Sequence, residues 1–260
     1  MPRFAANLTM LWPELDVYDR LRAAADAGFR RVEILFVHQL DQERLVRLLD
    51  ELGLELVLFD PAPGNWDAGE RGLLSLPGRE DEFLATVRAA VESARRFGAR
   101  RLNALAGVLP VDVPREVAFR TATANLRAAA RVAAPAGVRV LVEPINTTDF
   151  PGYFVPTVEQ GAELIRAADD PDVRLQFDQY HVGMMGGDAL ALVREYLPLV
   201  EHVQIADVPG RHQPGTGTQP IREFLADLDG LGYGGAVGLE YRPQGSTEDA
   251  LRWLPREARG

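Results

Sequence analysis

The sequence predicts an α/β fold, specifically a single-domain (β/α)8 (TIM) barrel that spans residues 1–260. Eight short apolar segments alternate with eight longer amphipathic segments, which is the pattern of a parallel sheet with crossover helices. The repeat averages about 32 residues, close to the size of one β/α unit. A doubly wound open sheet is the alternative, but the chain lacks the G-x-G-x-x-G turn that usually opens such a sheet.

The eight predicted strands are short runs rich in β-branched and other apolar residues. In chain order they are Phe4–Thr9, Arg31–Val37, Leu54–Phe59, Arg101–Ala106, Arg139–Pro144, Val173–Asp178, Glu201–Ala206 and Ala236–Tyr241.

The predicted helices carry apolar residues at helical spacing. They are Val17–Ala27, Gln42–Leu52, Glu80–Phe97, Arg115–Ala134, Thr157–Ala168, Asp188–Tyr196, Ile221–Leu228 and Thr247–Leu254. Glycine is the residue expected at the C-terminal cap of a helix, and it follows four of them, as Gly28, Gly53, Gly98 and Gly137.

One predicted connection is unusually long. Residues 60–79 separate the third strand from the third helix and are rich in glycine and proline. A loop of this length in a compact domain is usually functional or mobile. After the third strand of a barrel it would lie at the C-terminal mouth, where active sites are found. We therefore expect residues 60–79 to form a lid, with Trp66 as a candidate mouth residue.

The composition excludes several kinds of chemistry. The chain has no cysteine, so disulfides, thiolate nucleophiles, iron–sulfur clusters and cysteine zinc sites are impossible. All 28 basic residues are arginine, so the chain has no lysine for a Schiff-base aldolase, a pyridoxal phosphate enzyme or a P-loop. None of the three serines lies in a G-x-S-x-G motif. No organic cofactor is expected, and acid–base or metal-assisted chemistry remains.

Charge and hydropathy limit the classes of partner that we expect for the chain. The net charge is −10, and an acidic chain binds the phosphate backbone of DNA or RNA poorly, so no nucleic-acid partner is expected. No apolar run approaches the ~18 residues that a membrane helix needs, and the N-terminus lacks a signal-peptide layout. The sequence therefore favours a cytoplasmic protein without a membrane partner. A homo-oligomer is compatible with the sequence, although the sequence does not indicate an interface.

Four consecutive predicted strands carry an oxygen-bearing side chain near their carboxyl ends. These side chains are Glu143, Asp178, Gln204 and Glu240, each about one β/α unit from the next. Because barrel strands meet at the mouth, we expect the four to converge. Three carboxylates brought together repel one another and are partly desolvated, which a cation would relieve. Oxygen ligands of this kind suit Mg²⁺ or Mn²⁺.

Neighbouring residues suggest what binds. His181 could donate a hydrogen bond to a substrate oxygen or support a metal ligand, although a structural histidine is the alternative. Arg211, after the seventh strand, could pair with a substrate carboxylate or be a solvated loop charge. No partner is evident for His38 or His202. Three weaker mouth candidates, each more typical of a structural role, are Asn7, Glu33 and Asn103.

A divalent metal with flanking glutamates, but without a nucleophile, fits enolisation of an α-hydroxy carbonyl compound. The metal would chelate the substrate oxygens and stabilise an enediolate. One glutamate would remove a carbon-bound proton and the other would serve the adjacent carbon, which gives isomerisation or epimerisation. Metal-assisted hydrolysis uses similar ligands and stays open.

Segments along the whole chain resemble the hydroxypyruvate isomerase family, in colinear order. The most specific are GNWDAGERG (64–72) and LVEPIN (141–146). The others are FAANLTML (4–11), LPGRE (76–80), DQYH (178–181), HVQIAD (202–207), PGTG (214–217), GLEYRP (238–243) and LRWL (251–254).

The resemblance implies a xylose isomerase-like TIM barrel that interconverts hydroxypyruvate and tartronate semialdehyde (2-hydroxy-3-oxopropanoate). It implies Glu143 and Glu240 as the proton donor/acceptors. It also implies a divalent metal site that consists of Glu143, Asp178, Gln204 and Glu240. The substrate carboxylate would give Arg211 and His181 a group to bind.

Other members of the wider family leave alternatives. A close branch isomerises four-carbon 2-oxo-tetronates with the same site. Related sugar 3-epimerases typically have histidine where this chain has Gln204. Endonuclease relatives need a histidine-rich multi-zinc site and a DNA-binding surface, which four histidines and a net charge of −10 disfavour. A non-catalytic sugar-acid binding protein on the same barrel is the alternative from another functional class.

Overall fold

A computed structural model describes residues 2–260 and contains eight parallel strands. They are β1 (Arg3–Asn7), β2 (Arg31–Glu33), β3 (Glu55–Leu58), β4 (Arg101–Asn103), β5 (Arg139–Val142), β6 (Val173–Asp178), β7 (Val200–Ile205) and β8 (Ala236–Leu239). Their order in the sheet is β3-β2-β1-β8-β7-β6-β5-β4. A parallel bridge between Phe59 and Leu102 joins β3 to β4 at the remaining gap. The predicted barrel is confirmed.

The helices follow the strands as a barrel requires. They are α1 (Val17–Asp26), α2 (Gln42–Leu52), α3 (Glu80–Phe97), α4 (Arg115–Ala133), α5 (Val158–Ala168), α6 (Gln179–Met184), α7 (Ala189–Tyr196), α8 (Ile221–Gly230) and α9 (Thr247–Ala250). Across residues 2–260, no helix has both the length and the apolar character needed to cross a membrane.

Two helices differ from the sequence prediction, and β2 ends at Glu33 rather than at the predicted Val37. The extra helix α6 begins directly after β6, because Asp178 caps it by accepting the backbone N–H of Tyr180 at 2.8 Å. The last helix was predicted to reach Leu254, but α9 is a single turn that ends at Ala250. After Ala250 the chain continues as turns, because the backbone N–H groups of Arg252 and Leu254 donate to the carbonyls three residues earlier, at 3.2 and 3.1 Å.

Side-chain alternation places polar residues inside the barrel. Along β1, Phe4 and Ala6 belong to the large apolar core under the helices. Ala5, in a separate small apolar cluster, and Asn7 alternate with them and therefore face the barrel interior. The apolar cluster fills one level of the interior, and polar side chains occupy the levels nearer the carboxyl ends of the strands. This arrangement brings buried charges to the mouth.

Candidate active site

The four side chains predicted to converge are all buried at the carboxyl ends of β5 to β8. Glu143 and Glu240 come directly after β5 and β8, and each is at most 5% exposed. Asp178 and Gln204 are partners in the register of β6 and β7, so they lie at the same level. Two glutamates therefore flank a central pair, separated by two intervening strands.

Arg211 lies among these acids rather than in solvent. Its Nη2 is 2.8 Å from Glu240 Oε1 and 3.2 Å from Asp178 Oδ2, and the residue is 8% exposed. Its guanidinium also lies over the Tyr180 ring, 4.9 Å from the centroid. Among residues 2–260, no atom forms a hydrogen bond with Arg211 Nε, which leaves this donor for a bound molecule. Arg211 is thus a buried cation with a free donor, and the solvated-charge alternative is wrong.

Glu143, Asp178 and Glu240 outnumber Arg211, and the pKa of each of these acids is raised. Burial, reinforced by the charge of Glu240, raises the pKa of Glu143 well above its ordinary value. Burial also raises the pKa of Glu240 to about 8, although Arg211 opposes the shift. Burial raises the pKa of Asp178 against the same arginine. A divalent cation would relieve this excess of buried negative charge, and the oxygen donors present are those that Mg²⁺ and Mn²⁺ accept.

His181 lies against the same carboxylates, and ligand atoms of Glu143, Asp178 and His181 all fall within 4.8 Å of one another. Its Nε2 is 3.5 Å from Asp178 Oδ2 and 3.8 Å from Glu143 Oε1. Burial, together with Arg211, lowers the pKa of His181 well below its ordinary value, so the ring is neutral. The group can therefore hold a metal if His181 Nε2 is unprotonated.

Asn146 decides which nitrogen of His181 carries the proton. Its Oδ1 accepts the backbone N–H groups of Thr148 and Asp149, at 3.0 and 2.8 Å, so its Nδ2 must face His181. This Nδ2 donates to His181 Nδ1 at 2.7 Å. A neutral ring that accepts at Nδ1 carries its proton on Nε2. In this arrangement His181 is a hydrogen-bond donor toward the carboxylates and a bound substrate.

The chain is similar to a known family of barrels over most of its length. Residues 21–257 match the family model of the xylose isomerase-like TIM barrel. The chain belongs to this family. It is 43% identical to a 2-oxo-tetronate isomerase from Cupriavidus necator and 38% identical to the hydroxypyruvate isomerase of Escherichia coli K12, each over 98% of both chains. The resemblance to the hydroxypyruvate isomerase family is confirmed, and the protein is an enzyme of the isomerase class.

A solved structure agrees closely with this xylose isomerase-like barrel. The crystal structure of an AP endonuclease, family 2, from Brucella melitensis superposes with a TM-score of 0.95 over 98% of both chains. The two sequences are 40% identical.

The weaker mouth candidates lie in three different parts of this xylose isomerase-like barrel. Asn103 reaches the site, where its Nδ2 donates to Glu143 Oε2 at 2.7 Å. Asn7 and Glu33 are fully buried and bonded to each other in the barrel interior, and Glu33 also contacts Gln204 at 3.0 Å. Trp66 is half-buried in the wall of the mouth.

Two residues without a role in the sequence analysis belong to the site. Asn146 orients His181, and its place in the LVEPIN segment was the only signal for it. Asp60 follows β3, is 3% exposed, and has an Oδ1 without a hydrogen-bond partner in the described part of the chain. Burial, then the charges of Glu240 and Glu33, raise the pKa of Asp60 well above its ordinary value. A neutral carboxyl at this position can donate a hydrogen bond.

The loop predicted as a lid has two different parts. Its second part is fixed, because Ser75 donates its backbone N–H to Ala106 at 3.1 Å and is fully buried. Its first part carries Trp66, whose ring lies 5.1 Å from that of Phe36 and 6.2 Å from that of Phe150. Arg71 stacks on Trp66, 4.1 Å from the ring centroid. Aromatic contacts thus connect this part to the loops after β2 and β5.

Gly238 makes room for the polar interior. A Cβ at this position would lie 2.1 Å from Glu33 Oε1. We expect Gly238→Ala to destabilise the barrel by about 1–3 kcal/mol or more, since overpacking a rigid interior costs this much. At Gly230, a Cβ would meet nothing within 4 Å, so Gly230→Ala is the matched control. Thermal unfolding of both variants tests this. An unchanged Tm for Gly238→Ala would contradict the close approach.

Proposed function

We propose that the protein is an aldose–ketose isomerase that interconverts hydroxypyruvate and tartronate semialdehyde through an enediolate. Glu143 and Glu240 exchange the carbon-bound protons. The observation that carries the proposal is the pair of buried glutamates with raised pKa values, flanking Asp178 and a buried arginine. The isomerases from Cupriavidus necator and Escherichia coli support the class of reaction.

The environments of the two glutamates suit proton transfer. Asn103 holds Glu143 Oε2 at 2.7 Å, while Oε1 faces His181. Arg211 holds Glu240 Oε1 at 2.8 Å. A general acid or base works best when its pKa lies near the working pH, and burial raises the pKa of Glu240 to about 8. One glutamate takes the proton from one substrate carbon, and the other returns a proton to the adjacent carbon.

Arg211 and His181 are proposed to bind the substrate. The free Nε of Arg211 donates to the substrate carboxylate, and its position between Asp178 and Glu240 keeps that carboxylate beside the acids. His181 presents an N–H at Nε2, because Asn146 occupies the other nitrogen. This donor binds a substrate oxygen where negative charge develops.

A divalent metal is the proposed cofactor, and Glu143, Asp178, Gln204 and Glu240 are the proposed ligands. The excess of buried acid over cation supports such an ion. When bound, Mg²⁺ or Mn²⁺ supplies Lewis-acid stabilisation of negative charge on substrate oxygens. His181, which shares the cluster with Glu143 and Asp178, is assigned to the substrate because its Nε2 carries a proton.

A 2-oxo-tetronate is the second candidate substrate. The 2-oxo-tetronate isomerase of Cupriavidus necator is 43% identical to this chain, against 38% for the Escherichia coli hydroxypyruvate isomerase. The two substrates differ by one hydroxymethyl group, so the same acid–base chemistry serves both. Asp60, with a buried and unengaged Oδ1 among the described residues, offers a hydrogen bond to a further hydroxyl.

The remaining alternatives have less support. Gln204 stands where the related 3-epimerases typically have histidine. Only one histidine, His181, belongs to a potential metal group within residues 2–260, whereas an endonuclease of this fold needs several. The net charge of −10 opposes nucleic-acid binding. We therefore propose a small hydroxy- or oxo-acid substrate and a cytoplasmic site of action.

Proton NMR in D₂O tests the proposal. We expect purified enzyme with Mg²⁺ or Mn²⁺ to convert hydroxypyruvate to tartronate semialdehyde with deuterium incorporated, and a chelator control to be inactive. Conversion without deuterium would speak against proton exchange by two glutamates. If the enzyme turned over only a four-carbon 2-oxo acid, a 2-oxo-tetronate would be the substrate instead. No turnover of either compound would favour a binding protein.

The first part of the loop, residues 64–71, is proposed to act as a lid over the substrate. Trp66→Ala removes its aromatic contacts with Phe36 and Phe150. We expect KM to rise and kcat to fall together, because lid closure both retains the substrate and completes the catalytic site. Steady-state kinetics measure this, with the exposed neighbour Asp67→Ala as control. An unchanged KM for Trp66→Ala would refute the lid.

A further inference from the structure

A polar layer lies inside the barrel beside the proposed metal ligands. Its centre is Glu33, which is 0% exposed. Glu33 Oε2 accepts from Asn7 Nδ2 at 2.9 Å and from Gln204 Nε2 at 3.0 Å. Glu33 Oε1 is 2.5 Å from His202 Nε2. Side chains from β1, β2 and β7 therefore meet on one carboxylate, and β8 contributes Gly238, whose lack of a side chain leaves the space.

The neighbours of Glu33 all act as donors. Asn7 Oδ1 accepts the backbone N–H of Thr9 at 3.0 Å, so its Nδ2 must be the atom that faces Glu33. His202 Nδ1 has no hydrogen-bond partner from any residue that the structure describes, so Nε2 is the ring nitrogen that donates, to Glu33. A carboxylate can only accept, and both oxygens of Glu33 do so.

This acceptor fixes the orientation of the Gln204 amide. The NH₂ of Gln204 must face Glu33, because the reverse orientation would bring two acceptor oxygens together without water to separate them. Gln204 Oε1 accepts from Gln176 Nε2 at 2.6 Å and keeps a second lone pair. Without Glu33, the remaining partner of this amide is Gln176, whose own amide can turn with it because Gln176 Oε1 has no hydrogen-bond partner among the described residues.

We propose that Glu33 is a positioning residue that holds Gln204 with its oxygen available to the metal. This inference rests on the proposed function, since it takes Gln204 as a ligand. Hard divalent cations bind amide oxygens and reject amide NH₂ groups. Glu33 thus does for a glutamine ligand what a hydrogen-bonded carboxylate does for a histidine ligand, which is to fix the face that meets the ion.

The test removes the acceptor at position 33 and keeps the length of the side chain. In Glu33→Met, no oxygen faces the NH₂ of Gln204, so either end of that amide can turn toward the metal. In Glu33→Gln, the new NH₂ can donate to His202 Nε2, because the ring proton can move to the unpartnered Nδ1, and the new amide oxygen still accepts from Gln204 and Asn7. Both variants lose the negative charge of Glu33, so their comparison isolates the acceptor.

Mn²⁺ affinity of the metal-free protein, measured by the EPR signal of free Mn²⁺, is the readout. We expect Kd to be about 10- to 100-fold higher in Glu33→Met than in Glu33→Gln, the usual effect of losing a group that orients a ligand. Asn7→Ala, which leaves the contact between Glu33 and Gln204 in place, should bind as tightly as the unaltered protein.

The outcomes separate this inference from the proposed function. If the unaltered protein does not bind Mn²⁺, the proposed metal site fails and the inference fails with it. If it binds, but Glu33→Met binds as tightly as Glu33→Gln, only the role of Glu33 is refuted. If Glu33→Met does not fold, the double variant E33M/Q204E decides, because a carboxylate at position 204 presents an oxygen whichever way it turns. A folded protein with near-normal Kd supports the inference, and an unfolded or weakly binding one overturns it.

Discussion

Glu143→Gln and Glu240→Gln are each expected to lower kcat by about 10³-fold or more while the barrel remains folded. Glutamine has the shape of glutamate but cannot exchange a proton, and general acid–base catalysis by a positioned side chain contributes about 10²–10⁴-fold. Each substitution also changes a proposed metal ligand, which adds to the loss. Isomerisation of hydroxypyruvate followed by NMR, with saturating Mn²⁺, measures the effect.

The matched control is Glu163→Gln, at an exposed position of α5, which should retain normal turnover.

Glu240→Gln is also expected to change how the stability of the metal-free protein depends on pH. Burial raises the folded-state pKa of Glu240 from 4.5 to about 8, so the metal-free protein loses stability as pH rises through this window. Metal-free Glu240→Gln should lose less stability between pH 5 and 8. Retained turnover in both catalytic variants would overturn the two-glutamate mechanism.

The barrel and the positions of its acids were accessible from the sequence because both depend on strand periodicity. A strand of four to six residues has a period of two, and an apolar run fixes where it ends. Glu143 and Asp178 follow directly from this, since each stands at the end of such a run. The boundaries of β2 and α9 were less predictable, because local geometry rather than apolar pattern ends them.

The contacts within the site depend on distances that no periodicity encodes. Arg211 lies in a loop, and nothing in its neighbours indicates that it reaches Asp178 at 3.2 Å. His202 seemed to lack a partner, yet it contacts Glu33, which is 169 positions earlier in the chain. Such pairs form because strands that are distant in sequence are adjacent in the barrel. Their direction of hydrogen bonding follows only when all donors and acceptors are placed.

Removal of the divalent metal is expected to abolish turnover and to lower thermal stability. Glu143, Asp178 and Glu240 are buried with one arginine among them, and burial raises the pKa of each. A ligand that binds only the folded state at 100 times its Kd stabilises it by about 2.7 kcal/mol. For a domain of this size that corresponds to an increase in Tm of about 5–10 °C.

Differential scanning fluorimetry of chelator-treated protein, with and without Mn²⁺ or Mg²⁺, measures this shift independently of activity. Glu143→Gln and Asp178→Asn should show a much smaller shift at the same metal concentration, because each removes a charged oxygen ligand. If metal-free protein turned over hydroxypyruvate at the normal rate, the buried acids would have to be balanced by protons alone. In that case the buried acids would be protonated in the active enzyme, as their raised pKa values indicate. Arg211 and His181 would then have to stabilise the enediolate without a metal.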